Sequence, residues 1–232
     1  MPRKAPWTAI LLAAVTVSCG NSIGPLPRST LPDVLPSIST TDLINAFPSP
    51  HDLGPGFTFD TSSLGSADYF VDYSQSDIAS HCAYADPHNS HIPGLSSPRS
   101  SMSVSGAFDS SDGDGIRVMI TVDTPAKSAD RLALIRRAYA NCGPMNLAQD
   151  AEPYTDSFGL LPAPAANADE RLAIRRIAKF ISGSDASTGP QVDEAAYARV
   201  GGTVVTIYSY GDKAALSMLP IVTAKVRRVL RI

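Results

Sequence analysis

The stretch from Arg199 to Tyr210, RVGGTVVTIYSY, together with the residues that follow it, decides how this chain folds. β-Branched and aromatic side chains crowd the segment, so it reads as one strand. Asp212 then opens a C-terminal helix in which Leu216, Leu219, Val222, Val226 and Val229 share one face. Pro220 lies inside that helix and lacks an N–H, so a bend or a separated first turn is expected there. A strand that hands over to an amphipathic helix implies a sheet with a helix laid across it.

Upstream, Ser101 to Phe108 and Ile116 to Thr124 form a strand pair. Met102, Val104 and Phe108 alternate, IRVMITV is rich in β-branched residues, and the intervening DSSDGDG is a turn, so the pair reads as a hairpin. Ser128 then caps a helix whose stripe is Leu132, Ile135, Tyr139 and Cys142, with Arg131, Arg136 and Arg137 mostly off it; Gly143 and Pro144 stop it. Residues 167–182, NADERLAIRRIAKFIS, fit two templates. Ala173, Ile177, Phe180 and Ile181 suit a helix, whereas Leu172, Ile174, Ala178 and Phe180 suit a strand. The balance of elements predicts an α+β fold: a mostly antiparallel sheet with helices packed on it.

The ordered domain is expected to begin at Thr40-Thr41-Asp42, a cap and acidic first turn ahead of Leu43, Ile44 and Phe47. Pro48 and Pro50 end that short helix, after which Phe57 and Phe59, then Tyr69, Val71 and Tyr73, show weak strand alternation. Ser76-Asp77 reads as the cap of another helix, with Ile78 and Cys82 on one face and Pro87 at its end.

The far N-terminus carries a different message. Arg3 and Lys4 precede an apolar run from Trp7 to Val17, and Ser18 stands before Cys19. The run is about half the length of a membrane span, which makes residues 1–18 an export signal. Thr16-Val17-Ser18-Cys19 resembles the bacterial lipobox, in which cleavage before the cysteine is coupled to diacylglycerol attachment at its sulfur; a simple cleaved signal or an uncleaved anchor is the alternative. Residues 19–39 hold Pro25, Pro27, Pro32 and Pro36 among small polar residues, a tether composition, and residues 40–232 form one domain. With Cys19 assigned to lipid, Cys82 and Cys142 are left as a pair. Both fall at C-terminal helix ends on apolar faces, and export favours an intramolecular disulfide. Closing a loop of about 60 residues stabilises a fold by roughly 4 kcal/mol in the chain-entropy picture.

Lys plus Arg number 19 and Asp plus Glu 22, a net charge of −3 that falls further when Arg3 and Lys4 are removed. Such a balance gives no electrostatic basis for nucleic-acid binding. His81, His88 and His91 lie near Cys82 and Asp86 in HCAYADPHNSH, donors suited to zinc or copper. A solvated loop accounts for them more simply, since the disulfide takes the sulfur. Asp109, Asp112 and Asp114 suggest calcium but fit a hairpin turn equally. The many serines read as loop and turn composition, and no cofactor is implied. KVRRVLRI places Lys225, Arg227, Arg228 and Arg231 where they complement a helix C-terminus or meet acidic lipid.

The exported start, the proline-rich tether, a short helix with Gly56-Phe57 soon after it, one cysteine near a proline, one closing a helix, and RVGGTVVTIYSYGD leading into a terminal amphipathic helix make a recognisable series. From about Thr40 to Ile232 it resembles mycobacterial envelope lipoproteins related to the extracellular sensor domain of a transmembrane serine/threonine kinase. That resemblance implies a non-catalytic, ligand-sensing or cell-wall-associated module at the outer face of the membrane. Its partners would be the bilayer, through acylated Cys19, and a small molecule, envelope component or protein. Kinase sensors of this type carry a second disulfide for which this chain has no cysteines, and the chain has no kinase domain. A hydrolase of envelope substrates and a purely structural surface protein are the competing readings; a binding protein should offer a concave apolar site between sheet and helix.

Overall fold

The computed structural model describes residues 29–54, 56–66, 102–110, 115–140, 144–149, 152–181, 189–210 and 215–232. Two short helices, α1 (Thr40–Ala46) and α2 (Pro50–Leu53), lead into strands β1 (Phe57–Ser66), β2 (Met102–Ser110) and β3 (Gly115–Val122). Helix α3 (Pro125–Ala140) follows, then β4 (Met145–Gln149), β5 (Glu152–Leu161), β6 (Glu170–Phe180), β7 (Gln191–Val200), β8 (Thr203–Tyr210) and helix α4 (Ala215–Leu230). All eight strands join one antiparallel sheet in the order β1-β2-β3-β8-β7-β6-β5-β4. The α+β class with an antiparallel sheet is therefore observed.

The β2–β3 hairpin forms as its alternation predicts, with Val104 opposite Ile120 and Phe108 opposite Ile116. RVGGTVVTIYSY is not one strand. Arg199 and Val200 end β7, Gly201 and Gly202 turn the chain, and Val200 pairs with Thr203. Gly201 has φ +58°, a conformation glycine adopts without a Cβ clash. At Gly202 a Cβ would overlap the Asp123 carbonyl oxygen and press on Pro36.

Residues 170–180 resolve as strand, since β6 pairs on both sides, with β5 and β7. The segment's charges explain the outcome: Arg175 faces Glu194 and Arg176 faces Asp193 across the β6–β7 ladder, where they form ion pairs at 2.6 and 3.0 Å. Cross-strand partners thus select the strand template over the helical one.

Helix starts also shift. Ser39, not Thr40, caps α1: its hydroxyl accepts from Asp42 N, while Asp42 Oδ2 accepts from Ser39 N. Leu43, Ala46 and Phe47 turn inward, but Ile44 is 46% exposed. Helix α3 begins three residues before Ser128, because Pro125 is preorganised for the first helical position and Thr124 Oγ1 accepts from Lys127 N. Ser128 is buried and donates to Gly202 O at 2.9 Å. Helix α4 runs unbroken through Pro220.

Strand alternation sorts the core onto two faces. On one, α1, α2 and α4 cover Val104, Phe108, Ile116, Val118, Ile120, Val205 and Ile207. Phe108 is fully buried, stacked on Phe47 with centroids 5.7 Å apart and tilted on Phe59 at 5.0 Å. On the other, α3 lays Leu132, Ile135 and Tyr139 over Leu172, Ile174, Ala195, Tyr197 and Val204. Each large apolar side chain so buried contributes about 1.5–3 kcal/mol.

Candidate functional site

Beneath α3 the sheet presents polar groups rather than a purely apolar surface. Tyr197 of β7 and Tyr208 of β8 project to this face on neighbouring strands, because Tyr197 lies opposite Thr206 and Tyr208 opposite Ala195. Their rings meet edge to face with centroids 6.2 Å apart. Tyr139 descends from α3 and tilts on Phe158 of β5 at 5.8 Å. Thr121 of β3, Thr206 of β8 and Asp123 are buried on the same side. Arg131 completes the group from α3, its charge next to Asp123 and Tyr208.

Burial sets the electrostatics here. It disfavours the Tyr197 phenolate and drives that pKa well above the ordinary phenol value, with Tyr208 and Tyr139 adding to the effect. Burial also lowers Arg131 below the usual guanidinium value, opposed by Asp123 and Tyr208. A phenol held protonated is a hydrogen-bond donor and neither a base nor a nucleophile. Tyr197 is hydrogen-bonded to Tyr208, and its buried, protonated phenol is poorly matched to proton abstraction.

A second concentration of charge surrounds the β7–β8 turn. Asp169 Oδ2 accepts from Gly201 N at 2.7 Å and pairs with Arg199, while its Oδ1 accepts from Arg227 at 3.2 Å. Glu170 accepts from Arg136 at 2.8 Å and approaches Arg199 Nε at 3.5 Å. On the other side of the turn runs the second half of the proline-rich segment. Pro32 O accepts from Ala126 N, Asp33 accepts from Thr124 Oγ1 at 2.7 Å, and Asp130 accepts from Ser29 N at 3.2 Å. Residues 29–39 thus lie along the start of α3 and the β7–β8 turn.

Of the residues singled out from sequence, Cys19, Cys82, Cys142, His81, His88, His91, Asp112 and Asp114 lie outside the described residues. Among the described residues, no three His, Cys, Asp or Glu side chains gather as a metal site, and no helix is long and apolar enough to cross a membrane. Tyr197, Tyr208 and Arg131 escape sequence reasoning. Two tyrosines inside β-rich runs look like core, and an arginine off a helical stripe looks solvated. The signal that remains is parity, since Tyr197 and Tyr208 flank a two-residue Gly201-Gly202 hairpin at positions that share a face.

No protein-family model and no curated protein matches this sequence. Solved structures do match. The extracellular domain of PknH from Mycobacterium tuberculosis superposes with a TM-score of 0.47 at 9% identity, covering 86% of this chain and 99% of that one. An uncharacterized protein of Mycobacterium smegmatis, the Rv0999 ortholog, gives a TM-score of 0.34 at 13% identity, over 59% of this chain and 70% of that one.

Proposed function

We propose that this protein is an exported lipoprotein, anchored through acylated Cys19 at the extracytoplasmic face of the cell membrane. Its domain binds a small molecule, an envelope component or a protein without performing chemistry on it. The observation that carries the non-catalytic reading is the state of the interior polar groups. Tyr197 is held protonated by burial, and Asp193 and Glu194 are held in ion pairs with Arg176 and Arg175. The anchor rests on the lipobox-like Thr16-Val17-Ser18-Cys19 after an apolar run of signal-peptide length. In the oxidising compartment that this implies, Cys82 and Cys142 form the intramolecular disulfide.

Native mass spectrometry of protein purified from its own host tests the binding reading. A recurrent adduct names the ligand class, and bare protein in every preparation defeats it. Radiolabelled palmitate tests the anchor: incorporation should vanish in Cys19→Ala together with membrane retention. Thiol titration of the denatured, acylated protein should find no free sulfhydryl before reduction and Cys82 plus Cys142 after it.

A further inference from the structure

The described end of the N-terminal segment and the C-terminal helix meet at one pole of the domain. Residues 29–39 contact the start of α3, and Pro36 lies against Gly202 of the β7–β8 turn. The turn's Gly201 N donates to Asp169, and Asp169 accepts from Arg227 in the last turns of α4. Arg227 also donates to Asn167 O, and Arg231 acts on Asp42 at the start of α1. Helix α4 therefore ends where the tether arrives.

The end of α4 at this pole is locally positive, although the whole chain carries a net charge of −3. Around the turn and the end of α4, Arg136, Arg171, Arg199, Arg227, Arg228 and Arg231 stand against Asp42, Asp169 and Glu170. On the α3 side, Lys127 offsets Asp123 at 3.8 Å, while Asp33 and Asp130 accept from the neutral donors Thr124 and Ser29 and keep their charge, so the positive surface is the α4 end of the pole and not its α3 side. Arg228 and Arg231 are exposed, and exposed Arg171 donates to the Pro164 carbonyl. Guanidinium groups of this kind bind phosphate oxygens bidentately.

We infer that this pole docks on the anionic phospholipid headgroups of the membrane to which Cys19 tethers the chain, an inference that rests on the anchor reading. Nine residues lie between Cys19 and Ser29, and the ten steps along the chain at full extension reach about 35 Å. The pole is thus the part of the domain closest along the chain to the bilayer. The tether raises its local concentration there, so a modest headgroup affinity suffices to orient the domain. The opposite end of the sheet, with the β2–β3 turn and the start of α4, then faces away from the membrane.

Sedimentation of the mature, unacylated chain (Cys19→Ser) with vesicles tests the docking. Binding to vesicles of phosphatidylcholine with about one-third phosphatidylglycerol should exceed binding to phosphatidylcholine alone by at least about fivefold at low salt, and should collapse at 0.5 M salt. The double variant Arg228→Glu, Arg231→Glu should fall to the neutral-vesicle level with its circular dichroism melt unchanged. Arg117→Glu, exposed on β3, should bind as the parent does. Equal binding to the two vesicle types, loss in Arg117→Glu as well, or binding to soluble polyanions with none to vesicles would overturn the docking. Palmitate labelling separates the two readings. Acylation at Cys19 without vesicle preference defeats docking alone, whereas vesicle preference without acylation supports docking and removes the anchor.

Discussion

The sheet's two faces bury different chemistry although the same strands build both. Under α4 lie Phe108, Ile116, Val118, Ile120, Val205 and Ile207, and the polar groups there keep mainly to the margins: Glu194 is paired with Arg175, and Ser209 accepts from Ala215 N. Under α3 lie Tyr197, Tyr208, Thr121 and Thr206, with Tyr139 and Arg131 of α3 over them. Strand parity alone separates the sets, since Val205 and Ile207 alternate with Val204, Thr206 and Tyr208 along β8. The dry face holds the fold by apolar burial, whereas the face under α3 mixes hydroxyls and a guanidinium into its packing.

The largest effect should come from the dry face. Phe108→Ala removes a fully buried ring from the Phe47–Phe59–Phe108 cluster and should cost about 3–5 kcal/mol, read as a fall in the urea midpoint. Tyr197→Phe, on the other face, removes only a hydroxyl, and its cost should stay near 1 kcal/mol. If the two losses were equal, the faces would share the burden of stability and the division would fail. Gly202→Ala is next in size. Its new Cβ meets the Asp123 carbonyl, which cannot retreat cheaply because Asp123 N donates back to Gly202 O at 2.8 Å. A cost of about 1–3 kcal/mol is expected by thermal melt, together with loosening of residues 29–36 detectable by proteolysis.

These same positions show what the sequence could and could not disclose. The β2–β3 hairpin was legible because apolar residues alternate on both strands with a glycine- and aspartate-rich turn between them. Gly201-Gly202 was not, since strong strand formers on both sides hide a two-residue turn within what reads as continuous strand. Strand β6 was ambiguous for a physical reason: Leu172 and Ile174 pack under α3 while Ala173 is buried on the reverse face, which erases alternation. Strands β4 and β5, MNLAQ and EPYTDSFGLL, sit at the sheet's margin and carry little apolar pattern. The Arg131–tyrosine cluster needed the register of β7 against β8, which no local pattern encodes.

The rim of the dry face offers a smaller, pH-dependent effect. Lys225 of α4 donates to Asp52 Oδ2 of α2 at 2.7 Å, and Ser49 N and Oγ donate to the same oxygen. The Lys225 bond, with help from Ser49, holds the Asp52 carboxyl well below the usual carboxylate range. A depressed folded-state pKa means that the stabilisation is fully present above the unfolded-state value near 4 and is lost as pH falls through the folded value. Asp52→Asn should therefore cost about 1 kcal/mol at pH 7, screening included, and the gap to the parent should narrow on titration below about pH 4. A gap that persists unchanged at pH 2 would show that the carboxylate charge is not what joins α2 to α4.

The smallest effects test the comparison most directly, because they are expected to differ in sign from ordinary core truncations. Thr223 of α4 is fully buried toward the dry face, and its hydroxyl has no hydrogen-bond partner among the described residues; Thr121 of β3 is buried on the other face in the same condition. A hydroxyl desolvated without a partner is unfavourable, so Thr223→Val should raise stability by roughly 0.5–1 kcal/mol. Thr121→Val should gain less, because the face under α3 has phenols and a guanidinium within its cluster to which a water or ligand can connect. Paired melts of the two variants decide the matter. If Thr121→Val gains as much as Thr223→Val, the α3 face is as dry as its counterpart and its hydroxyls are only packing; if Thr121→Val destabilises while Thr223→Val does not, that face holds a hydrogen-bond partner for Thr121 and the two faces differ in hydration.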